Sequence, residues 1–115
     1  MQQRASHRVY WNEHRGRYHI EVIAGRITSW PGIILDTWEW FTWLQQIRSF
    51  AFQARDGGHF TARKETRARG GVYWIAYRHI GGQFVKKYIG PQAQVTIARL
   101  EEVADELETR TVTEP

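Results

Sequence analysis

The sequence contains no cysteine. Disulfides and thiolate metal sites are therefore excluded, and the expectation is a chain made for a reducing compartment. No apolar run approaches the roughly 20 residues of a membrane-spanning helix. The polar start MQQRASHR lacks the basic-then-apolar pattern of a secretory signal, so a cytoplasmic location is expected. No internal repeat or low-complexity tract is present. The five histidines (His7, His14, His19, His59 and His79) are scattered. His14 and His19 fall in one hairpin without a third ligand, which argues against zinc. Neither a metal nor a cofactor is expected.

Aromatic residues are plentiful: six Trp, five Tyr and five Phe in 115 residues. Such side chains bury large areas, so a chain of this length can close one core. We expect one domain over 1–115, made of an 8–56 part, a 59–108 part and a 109–115 tail. The net charge is +4, which is compatible with simple solubility. The distribution is more telling. Between Arg55 and Lys87 there are eight Lys or Arg and two acids, whereas Leu100 to Glu114 holds six acids and one Arg. A basic middle and an acidic end suggest a polyanionic partner, nucleic acid first.

The middle contains two glycine pairs, Gly70-Gly71 and Gly81-Gly82, each between alternating runs. A two-residue type I′ turn needs positive φ at both central positions, so such pairs predict tight hairpins. Two-residue loops at both sites would set Arg67 opposite Trp74, Arg63 opposite Arg78 and Ala76 opposite Lys87. One face of a three-stranded sheet would then carry Arg63, Glu65, Arg67, Arg69, Trp74, Arg78 and Lys87. The other would carry Phe60, Ala62, Lys64, Thr66, Ala68, Tyr73, Ile75, Tyr77, Phe84, Lys86 and Tyr88, mostly apolar and aromatic. Downstream, Ile97, Leu100, Val103, Ala104 and Leu107 recur at helical spacing, with Thr96 as N-cap. The expected unit is β-β-β-α over 59–108, with the helix on the aromatic face and the basic face open.

Upstream, 8–22 predicts a β-hairpin turning at Gly16, and 24–35 is irregular. Asp36-Thr37-Trp38-Glu39 has capping-box spacing with Asp36 as cap, opening a Trp-rich helix to about Arg48. A short strand follows at 50–54, ended by the Asp56-Gly57-Gly58 turn. The fold class is α+β: an N-terminal hairpin and Trp-rich helix, then a three-stranded antiparallel sheet packed on a C-terminal helix. Val72, Val85 and Ile89 on the basic face argue that part of it is covered, with the N-terminal hairpin as the candidate cover.

The order β-β-β-α with a basic outward sheet resembles the DNA-binding domain of ethylene-response factors and the arm-binding domains of tyrosine recombinases. The text FTARKE, RGGVYWIAYR, KKYIG and VTIARLEEVA is similar to an N-terminal module of LuxR/MalT-type regulators of Chloroflexi-like bacteria, also found as short standalone proteins. These resemblances imply a bacterial, cytoplasmic, non-enzymatic protein linked to transcription control or mobile DNA.

The leading expectation is a nucleic-acid-binding module for double-stranded DNA rather than RNA, acting through Arg63, Arg67, Arg69, Trp74, Arg78 and Lys87. Arginine can fork onto guanine or phosphate, and tryptophan offers an apolar contact. The plain alternative is a solvated face on which Glu65 offsets the cations. A second alternative is a protein-interaction or self-association module docking through the acidic helix or the Trp74 face. A third is a small ribonuclease using Glu65, Arg63 and Arg67, which lacks a second acid–base group because His79 falls on the opposite face in this register. The cluster Trp30, Trp38, Trp40 and Trp43 is expected to be core rather than a ligand cage.

Overall fold

The structure, a computed structural model, describes residues 7–22, 28–29 and 34–113. Strands β1 (His7–Asn12) and β2 (Arg17–Val22) form the expected hairpin around Gly16, and the two-residue β3 (Thr28–Ser29) pairs with β2. Helix α1 (Trp38–Gln46) leads to β4 (Ser49–Gln53), and β5 (His59–Thr66), β6 (Val72–Ile80) and β7 (Gln83–Pro91) follow. A short 3-10 turn at Gln92–Gln94 enters helix α2 (Ile97–Thr113). Residues 1–7 are expected to be loose; His7 instead opens β1, and residues 1–6, Trp30 and most of the irregular 24–35 segment lie outside the described residues.

The α+β class holds, but the three-stranded sheet does not. One mixed sheet of seven strands runs in the order β3-β2-β1-β4-β5-β6-β7. Among the described residues one pair is parallel, joining β1 to β4 with Val9 opposite Phe52. The N-terminal hairpin therefore extends the sheet sideways and covers neither face of the 60–90 segment.

Both helices lie on one side of this sheet. Trp40 and Trp43 of α1 meet Phe50 at 5.8 and 6.1 Å between ring centroids. Leu100, Val103, Ala104 and Leu107 of α2 are buried in the same cluster as Val9, Ile20, Phe50, Phe52, Phe60, Trp74 and Ile89. Trp38, at the start of α1, points away and is 79% exposed.

The helix ends are held by side chains from elsewhere in the chain. Thr37, not Asp36, caps α1, its hydroxyl accepting from the Trp40 N–H. Asp36 instead takes φ 69° and accepts from the Ile97 N–H, while Thr96 accepts from the Arg99 N–H as expected, so α2 starts with two oxygen acceptors. The last turn of α1 contains no basic residue of its own. Lys64 of β5 supplies one, donating to the Leu44 and Gln45 carbonyls at 2.9 and 3.2 Å. Its positive charge faces the negative end of the helix.

Candidate nucleic-acid interface

The register of β5, β6 and β7 decides which side chains meet solvent. The second glycine pair forms the expected two-residue loop: Ile80 pairs with Gln83, and Arg78 faces Val85. The first does not. Thr66 pairs with Val72, leaving residues 67–71 as a five-residue loop closed by Arg67 N–H to Gly71 O at 3.1 Å. Arg63 consequently faces Ile75, and Lys64 faces Trp74. Relative to a two-residue loop this is a slip of three residues. Because the side-chain period is two, an odd slip moves a strand's side chains to the opposite face.

The expected ladder is thereby divided. Trp74 is fully buried against Phe50, with ring centroids 5.4 Å apart, and its indole N–H has no hydrogen-bond partner. Arg78 sits on the same inner side, paired with Glu108 of α2 at 2.7 Å, and Lys87 is ion-paired with Glu106. These three are structural positions, not parts of an open face. Arg69 is exposed in the loop. Only Arg63 and Arg67 remain on the outer face.

The acids of α2 are thus committed largely to the chain's own cations. Arg55 meets Glu101 at 2.8 Å, and Arg99 meets Glu102. Tyr18 donates to the same Glu101 at 2.6 Å; burial, followed by this hydrogen bond, pushes its pKa up to about 12. All four ion pairs among the described residues involve α2 and the side it covers.

What the register leaves outside is the face expected to be covered. Tyr73, Ile75, Tyr77 and His79 of β6, and Phe84, Lys86 and Tyr88 of β7, stand there with Arg63 and Glu65 of β5. Phe84 is 53% exposed and Tyr88 43%. No described helix or loop packs over them. Pairing β1 with β4 adds Arg8 and Tyr10 to the same side, with His19 of β2 beside Tyr10.

Cations stand over these rings. The Arg67 guanidinium lies 4.9 Å from the Tyr73 ring centre and 6.0 Å from that of Tyr88, and donates to the Tyr88 hydroxyl at 3.3 Å. Arg63 and Lys86 flank Tyr77 at 5.9 and 5.6 Å, and Arg8 covers Tyr10 at 4.3 Å. Such cation–π contacts hold long basic side chains upright over a surface they would otherwise leave.

Two acids stand on this side: Glu21 of β2, opposite Arg8, and Glu65 of β5. Glu65 accepts from the Tyr77 hydroxyl and, at 3.4 Å, from that of Tyr73. Burial and the Glu65 hydrogen bond push the Tyr77 pKa up to about 12, so this tyrosine stays a neutral donor. The carboxylate is held between two hydroxyls, and in the sequence Arg63 and Arg67 lie two residues to either side of it.

The corrected register also brings His79 to the same face as Glu65. The two are far apart along the sheet, however: Glu65 lies opposite Tyr73, six residues from His79. Six residues of strand span about 20 Å, too far for an acid and a base to share one phosphodiester. No group of three or more metal-binding side chains occurs among the described residues. No helix of the described residues is long and apolar enough to cross a membrane.

No protein-family model, curated protein or solved structure matches this chain.

Proposed function

We propose that this chain is a non-enzymatic, cytoplasmic nucleic-acid-binding module of a bacterial regulatory or mobile-DNA system, acting through the outer face of β5, β6 and β7. The observation that carries this reading is the pairing of Arg63, Arg67 and Lys86 with the half-buried Tyr73 and Tyr77 and the exposed Tyr88, on a face left open by both helices. Cations supply contacts to phosphate, and aromatic faces supply contacts to bases. The contact residues of this proposal are Arg63, Arg67, Tyr73, Tyr77, Phe84, Lys86 and Tyr88, with Arg69 at the rim. Of the expected contacts, Trp74, Arg78 and Lys87 drop out because they serve the core and the α2 interface.

The competing protein-docking reading has less to stand on. Glu101, Glu102, Glu106 and Glu108 of the acidic helix are ion-paired within the chain, and Trp74 is buried.

The test is a fluorescence-anisotropy titration with a labelled DNA carrying both a duplex stretch and a single-stranded tail. If three phosphates are neutralised, log affinity should fall against log salt with a slope of about −2 to −3. The triple charge reversal Arg63→Glu, Arg67→Glu, Lys86→Glu should abolish binding while circular dichroism stays unchanged. Absence of binding at low salt, or a triple variant that binds like the parent, would rule the reading out.

A further inference from the structure

The outer face has a spacing that distinguishes the kinds of nucleic acid it could hold. Tyr73 and Tyr77 stand on β6; Phe84 and Tyr88 stand on β7. The pairing places Tyr88 opposite Ile75, Lys86 opposite Tyr77 and Phe84 opposite His79. Read along the ladder, the rings therefore alternate between strands: Tyr73, Tyr88, Tyr77, Phe84. Each step is two residues of strand, about 7 Å. The first pair is measured directly, with ring centroids 5.9 Å apart.

Bases on one strand of a duplex are about 3.4 Å apart along the axis. Rings set at about twice that rise can each take a base only if the bases are pulled apart from one another. That is the state of an unpaired, extended strand. The faces of duplex bases are in any case closed by their stacking neighbours.

Width points the same way. A major groove about 12 Å wide admits a helix or a two-stranded ribbon. Here β6 and β7 are part of a seven-stranded sheet, about 29 Å across at about 4.8 Å per strand. On the outer side β4 and β5 continue the surface beside them, with Ser49, Ala51 and Thr61 among the longer Gln53, His59 and Arg63, so a duplex would rest on a broad shelf rather than receive a narrow ribbon.

The cations suit the same occupant. Arg67 lies beside Tyr73 and Tyr88, and Arg63 and Lys86 lie on either side of Tyr77. A backbone following the rings would thus pass a positive charge at three of the four. An arginine plane lying on a tyrosine also offers a second stacking surface for a base.

We infer that the Tyr73–Tyr88–Tyr77–Phe84 row is a stacking rail for an unpaired polynucleotide, about four nucleotides long, in preference to a duplex. This inference rests on the nucleic-acid reading above and specifies its ligand. Single-stranded RNA and single-stranded DNA share the chemistry the rail recognises.

The experiment compares three labelled probes of one mixed sequence by fluorescence anisotropy at low and moderate salt: single-stranded DNA, single-stranded RNA and blunt duplex DNA. At least one single strand should bind about tenfold or more tightly than the duplex. Phe84→Ala and Tyr88→Ala each remove a well-exposed ring and should each weaken single-strand binding by about tenfold, with an unchanged thermal midpoint. Equal or tighter binding of the duplex overturns the rail while leaving the nucleic-acid reading standing. Single-strand binding unaffected by both alanine variants also overturns it. Failure of all three probes to bind at low salt overturns both readings.

Discussion

Replacing Trp74 separates the two possible registers of the central hairpin. In the observed register Trp74 is fully buried, tilted against Phe50, with the Lys64 ammonium 5.4 Å from its ring centre. A buried tryptophan removes about 200 Å² from water, which at about 25 cal/mol/Å² is about 5 kcal/mol. The unpaired indole N–H already costs the folded state about 1–3 kcal/mol. Trp74→Ala should therefore destabilise by about 3–4 kcal/mol, the residual cavity included. With a urea m-value of about 2 kcal/mol/M for a chain of this size, the unfolding midpoint should fall by about 1.5–2 M. Trp74→Phe keeps most of the ring contact and deletes the orphan donor, so it should cost about 1–2 kcal/mol. Tyr88→Ala, at an exposed position, should move stability by less than about 0.5 kcal/mol. The assay is urea denaturation followed by far-ultraviolet circular dichroism. A Trp74→Ala protein as stable as the parent, with a Tyr88→Ala protein that is not, would invert the two faces and refute the register.

Three other perturbations address the supports of the fold. Asp36→Ala removes the carboxylate that accepts from the Ile97 N–H and puts alanine at φ 69°; it should cost about 1–3 kcal/mol by thermal denaturation, and Asp36→Asn, which tolerates that backbone and keeps an acceptor, about half as much. Tyr18 and Tyr77 both have pKa values raised from 10.0 to about 12. A raised pKa means that the folded state holds the proton more tightly, so their stabilisation is complete below pH 10.0 and is lost as pH rises to about 12; in an alkaline absorbance titration two of the five tyrosines should ionise late, and Glu65→Gln should bring one of them back toward its ordinary value. Gly90 has φ 141°, and a Cβ there would lie 2.9 Å from the Gln94 Oε1; Gly90→Ala should destabilise by about 1–3 kcal/mol, read as a lowered urea midpoint.

Much of the architecture could be read before folding, and the misplaced parts have identifiable causes. Both helices, the N-terminal hairpin and the Gly81-Gly82 loop were signalled by periodicity and turn chemistry. The parallel joining of β1 to β4 was not, because nothing in either strand's own pattern names a partner across the intervening helix. At Gly70-Gly71 the glycine pair marked the turn but not its length. Both residues take φ 86°, yet the loop also takes in Arg67, Ala68 and Arg69. The sequence of β6, VYWIAYRHI, offers apolar residues to both faces, so alternation there could not arbitrate. The signal that could have done so lies in β5, where Phe60 and Ala62 alternate with Thr61 and Arg63. Matching Phe60 and Ala62 to Trp74 and Ala76 on the inner side, and leaving the tyrosines with their hydroxyls outside, gives the observed register.

The polarised charge of the chain must then be divided before it can bear on function. Part of it is internal: Arg78 and Lys87 bind Glu108 and Glu106, which ties α2 to β6 and β7. An exposed pair such as Lys87–Glu106 contributes only about 0–1 kcal/mol, but the better buried Arg78 depends more heavily on its partner. That share of the basic middle is neutralised by the acidic end and has no field left for a polyanion. Arg55 and Lys64 are likewise engaged, with Glu101 and with the α1 carbonyls, whereas Arg63, Arg67 and Lys86 lie on the opposite side of the sheet, about 10 Å or more from the acids of α2 through a packed layer. There the only nearby acid of β5 is Glu65, and two tyrosine hydroxyls hold it. The prediction is a sharp asymmetry between the two sets of cations. Arg78→Met should lower stability by about 1–3 kcal/mol and leave oligonucleotide affinity and its salt slope unchanged. Arg67→Met should leave stability within about 0.5 kcal/mol and make the slope shallower by about 0.7–0.9, since one fewer phosphate is neutralised. Paired urea and salt titrations read both quantities. Equal effects of the two variants on the salt slope would mean that nucleic acid senses only the net charge of the protein, and the outer face would lose its claim to be the interface.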